Sequence, residues 1–442
     1  MPYFGFHTRL LLIGGLGYLF DAMDAAVIAF VLPVLKQQWQ LTDQHIGLLA
    51  AAAAIGGFLG ALVAGRLGDL LGRRVVMMWA LAVYGLASLG SAFSSSWTEF
   101  LTWRIVAGIG IYAESAIIAP YLAEFAAPAF RGRYIGSLTG FFSFGFVAAA
   151  ALGYFLVPLA PEAWRYALVI TALPIAMLLW WRRSLPESPR WLESQGRLSD
   201  AETVVSRIEA EFERSLGKLP PVPPLAHDPR YSKNLQSSPA VSFKSLFRPP
   251  LLRPMSMALT VWFAIGFSYY AFFTWLPSLL VANGMTLTKS YGFSLAIYVA
   301  QIPGYFTAAW LNDAIGRRKV IVLYLSLASV CALGLALARV DGAILAAGLG
   351  LSFFMNGTYA GLYTYTPELF PTRLRSTAHG TASSLSRVGA VASPIMVGYV
   401  FPLHGFIGVF GMTCGILVAG AAAVLLLGES TRNRSLEQIG AR

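Results

Sequence analysis

Apolar residues run along this chain in twelve long blocks separated by short polar breaks. They cover about residues 10–34, 45–66, 75–95, 99–122, 134–158, 165–182, 256–282, 290–312, 320–338, 343–366, 377–401 and 407–427. A bilayer core about 30 Å thick is crossed by roughly 20 helical residues, so each block predicts one membrane-spanning helix. The first block runs too long for a cleavable leader and no small-residue cleavage site ends it early, so it is expected to be retained.

The pattern changes once. Between the sixth and seventh blocks, Leu198, Ala201, Val204, Val205, Ile208, Phe212 and Leu216 recur at helical spacing, which predicts an amphipathic surface helix. Ser199 with Glu202 three residues on has the spacing of a capping box. Residues 217–240 follow as a Pro-rich, apolar-poor connector. The expected organisation is therefore a first six-helix bundle over 1–192, a connecting loop with the amphipathic helix over 193–250, and a second bundle over 251–442.

Composition agrees with this reading and excludes soluble classes. The 442 residues are 57% hydrophobic and 12% charged, with mean hydropathy +0.63, too apolar for soluble domains. With both termini placed in the cytoplasm, the outer loops hold Lys36, Arg165, Lys289 and Arg339, and Arg104 and Arg387 lie within spans; the other 26 of the 32 Lys and Arg fall inside. That asymmetry follows the positive-inside rule. The net charge of +11 then reflects topology and anionic headgroups, and no nucleic-acid partner is expected. Cys331 and Cys414 fall within spans and the five histidines are scattered, so neither a disulfide framework nor a metal site is expected. No nucleophile with a base and no phosphate loop marks an enzyme or a cofactor site.

The two halves repeat. Asp69, Gly72, Arg73 and Arg74 in GRLGDLLGRR recur 244 residues on as Asp313, Gly316, Arg317 and Arg318, and Glu124 and Arg131 recur at the same offset as Glu368 and Arg375. PESPR at 186–190 has a near copy, GESTR, at 428–432. Duplicated helical halves are an architecture of secondary transporters with a midplane site.

Five charged residues break the repeat: Asp21, Asp24, Arg104, Glu114 and Arg387 face Ile265, Ser268, Gly348, Thr358 and Ser143 at the 244-residue offset. An ionised side chain at the bilayer centre costs about 3 kcal/mol on insertion scales, which makes each a candidate functional residue. Asp21 and Asp24 are three residues apart and share one helix face.

The motif GRLGDLLGRR resembles the signature of the major facilitator superfamily, and PESPRWL resembles its sugar-porter and organic-ion branches. GLGYLFDAMD, VWFAIGFSYYAFFTWLPS, AQIPGYFTAAWL and LYTYTPELFPTRLRSTAHGTASSLSRVG look like the bacterial nicotinate (niacin) transporter family. The resemblance implies an all-α membrane protein with twelve transmembrane helices in two pseudo-symmetric bundles, in a bacterial inner membrane. It also implies uptake of nicotinate with protons. Another organic acid or an organic cation is the alternative substrate, and a non-transporting membrane receptor the alternative class. A monomer is expected, with the bilayer and a small molecule as partners.

DAAVIAF and RIVAGIG resemble the helix-1 acid and helix-4 arginine regions of proton-coupled sugar porters. At 1.5 Å per residue Asp24 lies roughly 15 Å and Arg104 about 8 Å below the outer surface, a gap an arginine spans. We therefore expect an Asp24–Arg104 pair in which protonation of the acid frees the arginine. Asp21 and Glu114 fall at similar depth and can share a proton or line a water path. Relatives tend to read Gly-Gly-Glu where this chain has Tyr112, Ala113 and Glu114, which predicts a narrower or shifted site.

Arg387, roughly 15 Å into its span, is the expected anion contact, because guanidinium binds carboxylate through two parallel hydrogen bonds. Tyr270, Phe273 and Tyr359 are expected to hold an aromatic ring, with Gln301 or Asn356 bonding its nitrogen. Asp69, Arg73, Glu124 and Arg131, with their copies Asp313, Arg317, Glu368 and Arg375, are expected to hold helix ends together as a gate. Pro277, and Pro303 with Gly304, are expected to bend their helices.

Overall fold

The computed structural model of the protein describes residues 3–177, 184–219, 243–370 and 374–429, apart from the side chains at 62, 128–133, 136, 139, 243, 244, 313, 375 and 376. Every regular element among these residues is helical. The first half opens with α1 (Gly5–Gln38), α2 (Asp43–Leu71), α3 (Arg73–Phe93), α4 (Trp97–Phe125) and α5 (Pro128–Phe155). Next come α6 (Ala163–Thr171), α7 (Pro189–Ser194) and α8 (Leu198–Leu216). The second half contains α9 (Leu252–Ala282), α10 (Leu287–Val299), α11 (Gln301–Ile315), α12 (Arg317–Leu337), α13 (Asp341–Glu368) and α14 (Arg375–Leu427).

Nine segments among the described residues are long and apolar enough to cross a membrane. The last of them holds two of the expected spans, because α14 breaks at Gly405, where φ is 59°. Two other blocks are less continuous than their hydropathy predicts. The sixth ends as α helix at Thr171 and passes into a 3₁₀ turn over Leu173–Ala176, since Pro174 has no N–H to extend the ladder. Its remainder, 178–183, lies outside the described residues. The eighth is divided at Ala300 between α10 and α11; Pro303 leaves the carbonyl of Val299 without its i+4 donor. Pro277, by contrast, sits inside the continuous α9.

The chain forms two compact units, Met1–Pro221 with Thr286–Tyr291, and Val222–Met285 with Gly292–Arg442. In the first, α1 packs on α5, and α4 packs on both α2 and α3. In the second, α9 packs on α14, and α13 packs on both α11 and α12. The packing thus repeats along with the motifs. Gly60 of α2 lies against the backbone of Ile109 in α4, and Gly304 of α11 lies against the backbone of Phe353 in α13. Both pairs are 244 residues apart, and a Cβ at either glycine would collide with a main chain, so the glycines set how closely these helices approach.

Large apolar side chains point outward as a bilayer requires: Phe93 is 75% exposed, Phe306 73% and Trp310 71%. The amphipathic helix α8 turns only part of its stripe inward. Ile208 and Phe212 are buried with Phe4 and Phe6, and the Phe4 and Phe212 rings meet edge to face at 5.1 Å. Leu198 and Leu216, at its ends, are exposed. The helix also starts earlier than its capping box predicts: the N-cap is Arg197, with no side-chain cap. That puts Ser199 inside the first turn, and Arg197 instead pairs with Asp200 at 2.7 Å. Most of the Pro-rich connector, 220–242, lies outside the described residues, as does 430–432 of the GESTR motif.

Candidate functional site

The acids of α1 sit in the interior of the first unit. Asp24 is fully buried, and its Oδ2 lies 2.7 Å from Nη2 of Arg104 on α4, itself 1% exposed. The same nitrogen is 3.4 Å from the Asp24 carbonyl oxygen. Oδ1 accepts hydrogen bonds from Ser88 Oγ of α3 at 2.8 Å and from Thr171 Oγ1 of α6 at 2.7 Å. Four helices therefore converge on one carboxylate. Tyr84 fixes the end of α6 by donating to the carbonyl of Thr171. Arg104 is less fully engaged: Nε and Nη1 are buried without a hydrogen-bond partner among the described residues. Ser88 and Thr171 carry no charge and stand far from Asp24 in sequence, so nothing in the sequence pattern singles them out.

Asp21 is fully buried in the same unit. Its Oδ2 accepts from Ser115 Oγ at 3.0 Å, and Tyr18 donates to the Ser115 carbonyl at 3.0 Å. Glu114 precedes Ser115, is fully buried, and has no hydrogen bond to either carboxyl oxygen among the described residues. The bulky Tyr112 is accommodated by Gly57, whose missing side chain leaves room for the ring.

The repeated motifs make parallel ion pairs. In the first unit Arg73 lies 2.8 Å from Asp69 and 3.4 Å from Glu124; in the second, Arg317 lies 3.3 Å from Glu368. The side chains of Arg131, Asp313 and Arg375 lie outside the described residues. At both motifs the turn is made by glycine in a left-handed region, Gly72 at φ 102° and Gly316 at φ 94°. Glu187 of the PESPR segment closes the first turn by accepting from the amides of Arg73 at 3.1 Å, Arg74 at 3.3 Å and Ser188 at 2.9 Å. Burial pushes its carboxyl up from the ordinary range, against those amides.

In the second unit an aromatic group gathers around α9 and α13. Tyr269 is its centre: its ring centroid is 4.4 Å from Phe273, 5.6 Å from Tyr270 and 5.7 Å from Tyr359. Its hydroxyl donates to Gln301 Oε1 at 3.4 Å, which leaves Gln301 Nε2 buried without an acceptor among the described residues. Tyr359 and Ser386 hydroxyls are 3.3 Å apart, which brings α14 beside the aromatics. Arg387, the next residue, is exposed and makes no hydrogen bond or ion pair among the described residues. Trp262 adds its ring 6.0 Å from Tyr359 and 5.1 Å from Tyr363. Asn356 spends its amide on its own helix, donating to the Ser352 carbonyl at 2.9 Å. Tyr269 and Trp262 are thus central where sequence spacing favours Tyr270 and Asn356; aromatic crowding in α9 offers no signal to choose between neighbours.

A helical membrane protein with duplicated halves, a buried acid–arginine pair in one and an aromatic cluster in the other has the build of a secondary transporter. The Sugar (and other) transporter family model matches residues 14–442, and the chain belongs to that family, within the major facilitator fold. The niacin transporter NiaP of Acinetobacter baylyi is 36% identical over 441 residues, covering 100% of this chain and 98% of the relative. The putative niacin/nicotinamide transporter NiaP of Bacillus subtilis is 33% identical over 430 residues, covering 97% and 98%. The inward-open xylose transporter XylE of E. coli superposes with TM-score 0.76 at 18% identity, covering 98% of this chain and 99% of that one. A D-xylose-proton symporter structure gives the same score at 19% identity, covering 96% and 98%.

Proposed function

We propose that this transporter carries nicotinate, or a closely related small aromatic carboxylate, inward together with protons by alternating access. The observation that carries the coupling is the fully buried Asp24–Arg104 pair, with the second carboxylate oxygen held by Ser88 and Thr171. Protonating Asp24 removes the charge that orients Arg104, so proton occupancy biases one conformational state over another. Asp21 and Glu114 serve the same proton path. The substrate carboxylate is taken by the Arg387 guanidinium; the ring packs among Tyr270, Phe273 and Tyr359, and Gln301 Nε2 donates to the pyridine nitrogen. Asn356 shapes the floor of that site. The names of the two NiaP relatives and the proton-symporter title of the solved structure support substrate and coupling.

The gate is assigned to Asp69, Arg73, Glu124 and Arg131 and to their copies Asp313, Arg317, Glu368 and Arg375. The transporting halves are residues 1–192 and 251–442, joined through 193–250. Relatives such as YdjE of E. coli are named inner membrane proteins, which supports the same membrane here, with both termini cytoplasmic by the distribution of basic residues.

The test is uptake of radiolabelled nicotinate into proteoliposomes, with benzoate and nicotinamide as competitors and a protonophore added. Benzoate is expected to compete and nicotinamide to compete weakly, and the protonophore to abolish accumulation. Equal competition by the amide would rule out recognition through the carboxylate. Accumulation driven by a pH gradient in Asp24→Asn would rule out Asp24 as the proton site.

A further inference from the structure

Away from both clusters, the first unit contains a cavity of about 490 Å³ between the start of α1, the α2–α3 turn, the PESPR segment and α8. That volume lies in the range of small-molecule sites. Four arginines line it, Arg9, Arg74, Arg197 and Arg207, together with the acids Glu187, Asp200 and Glu211. The acids are already engaged. Glu211 pairs with Arg9 at 3.0 Å and Asp200 with Arg197 at 2.7 Å, while Glu187 accepts three backbone amides. The donors are not all used. Arg207 is exposed, and its side chain makes no hydrogen bond or ion pair among the described residues; Arg9 Nε is buried without an acceptor. The cavity therefore offers hydrogen-bond donors and positive charge to an occupant.

Its remaining wall is apolar. Phe6, Trp191 and Ile208 lie behind the arginines, and Leu71 and Val75, 52% and 38% exposed, form an open apolar side. A planar carboxylate is satisfied by one guanidinium fork, whereas a tetrahedral phosphate presents oxygens to several arginines at once. We infer that this cavity binds a phosphate ester bearing an apolar group, bridging Arg207 of α8 to Arg9 of α1. Such an occupant tethers α8 to the bundle, in addition to the inserted Ile208 and Phe212 and the Arg9–Glu211 pair. The ester comes either from an anionic phospholipid or from a soluble cytoplasmic phosphate.

The experiment uses the purified full chain in nonionic detergent, titrated with dioctanoyl phosphatidylglycerol or adenosine monophosphate and read by thermal shift and thermophoresis. Saturable binding by one probe is expected, weakened at least about tenfold in Arg207→Gln and in Arg9→Gln and unchanged in Arg339→Gln, an exposed arginine of the second unit. Binding by phosphatidylglycerol alone identifies the lipid as the source, and binding by adenosine monophosphate alone identifies the soluble ester. If Arg9→Gln does not fold, Arg207→Gln, on an exposed helix face, decides. Absence of binding by both probes, or equal binding by Arg207→Gln and the parent chain, overturns the assignment.

Discussion

Asp24 is held on both carboxylate oxygens, because three donors from three other helices meet them. Removing one partner of a buried charge pair leaves the other uncompensated, at a cost of about 3–5 kcal/mol. Arg104→Ala is therefore expected to lower the melting temperature of the purified protein sharply, and Ser88→Ala or Thr171→Ala to lower it less, since each removes one donor at a cost of about 1–3 kcal/mol. A melting temperature in Arg104→Ala equal to that of the parent would mean the pair contributes nothing to the fold. Gln301 makes the clearest residue-scale prediction in the second unit. Its unused Nε2 is worth about 0.5–1.5 kcal/mol to a ligand acceptor, so Gln301→Ala should raise the KM for nicotinate roughly three- to tenfold and leave the proton dependence of uptake unchanged.

Element scale is where the duplication becomes physical. Gly60 and Gly304 let α2 approach α4 and α11 approach α13 at the same register, and Gly72 and Gly316 turn the chain in a backbone region that other residues avoid. A residue with a Cβ in that region costs about 1–3 kcal/mol. At Gly72 the added Cβ would also meet the Glu187 carboxylate. Gly72→Ala is expected to reduce thermal stability, and adding Glu187→Ala not to restore it, because the backbone strain remains and the amides of Arg73, Arg74 and Ser188 lose their acceptor. Full recovery in the double variant would show that the clash alone accounts for the effect. The ends of α8 illustrate a different rule: its exposed Leu198 and Leu216 fit the helical stripe but lie beyond the surface that Phe4 and Phe6 offer.

At the scale of the whole molecule the charges divide between the halves. The buried acids and Arg104 belong to the first unit, and the exposed guanidinium of Arg387 with its aromatics belongs to the second. On the proposed assignment, coupling and substrate recognition are separable by mutation. Arg387→Ala is expected to weaken nicotinate binding by tenfold or more while proton-driven conformational change, followed by tryptophan fluorescence on a pH jump, persists. Asp24→Asn is expected to do the reverse, retaining nicotinate exchange without accumulation. Unchanged nicotinate affinity in Arg387→Ala would place the anion contact elsewhere.

Class, helix count and repeat were determined by the sequence alone, because a bilayer demands about 20 apolar residues per crossing and penalises any charge placed among them. Those two constraints act on local composition, so Asp21, Asp24, Arg104, Glu114 and Arg387 stand out without coordinates. The 244-residue offset of Arg73–Glu124 and Arg317–Glu368 is equally local. Only tertiary structure decided which neutral residues complete the sites. Ser88 and Thr171 reach Asp24 from segments 64 and 147 positions away, and Tyr269 rather than Tyr270 faces Gln301. The break at Ala300 falls three residues before Pro303, in the helix that this proline is expected to bend, whereas hydropathy passes over both it and the break at Thr171. Hydropathy records how apolar a segment is, whereas a missing proline N–H acts on a single rung of the helix, and a hydrogen bond between helices depends on rotation about their axes, which chain order does not encode.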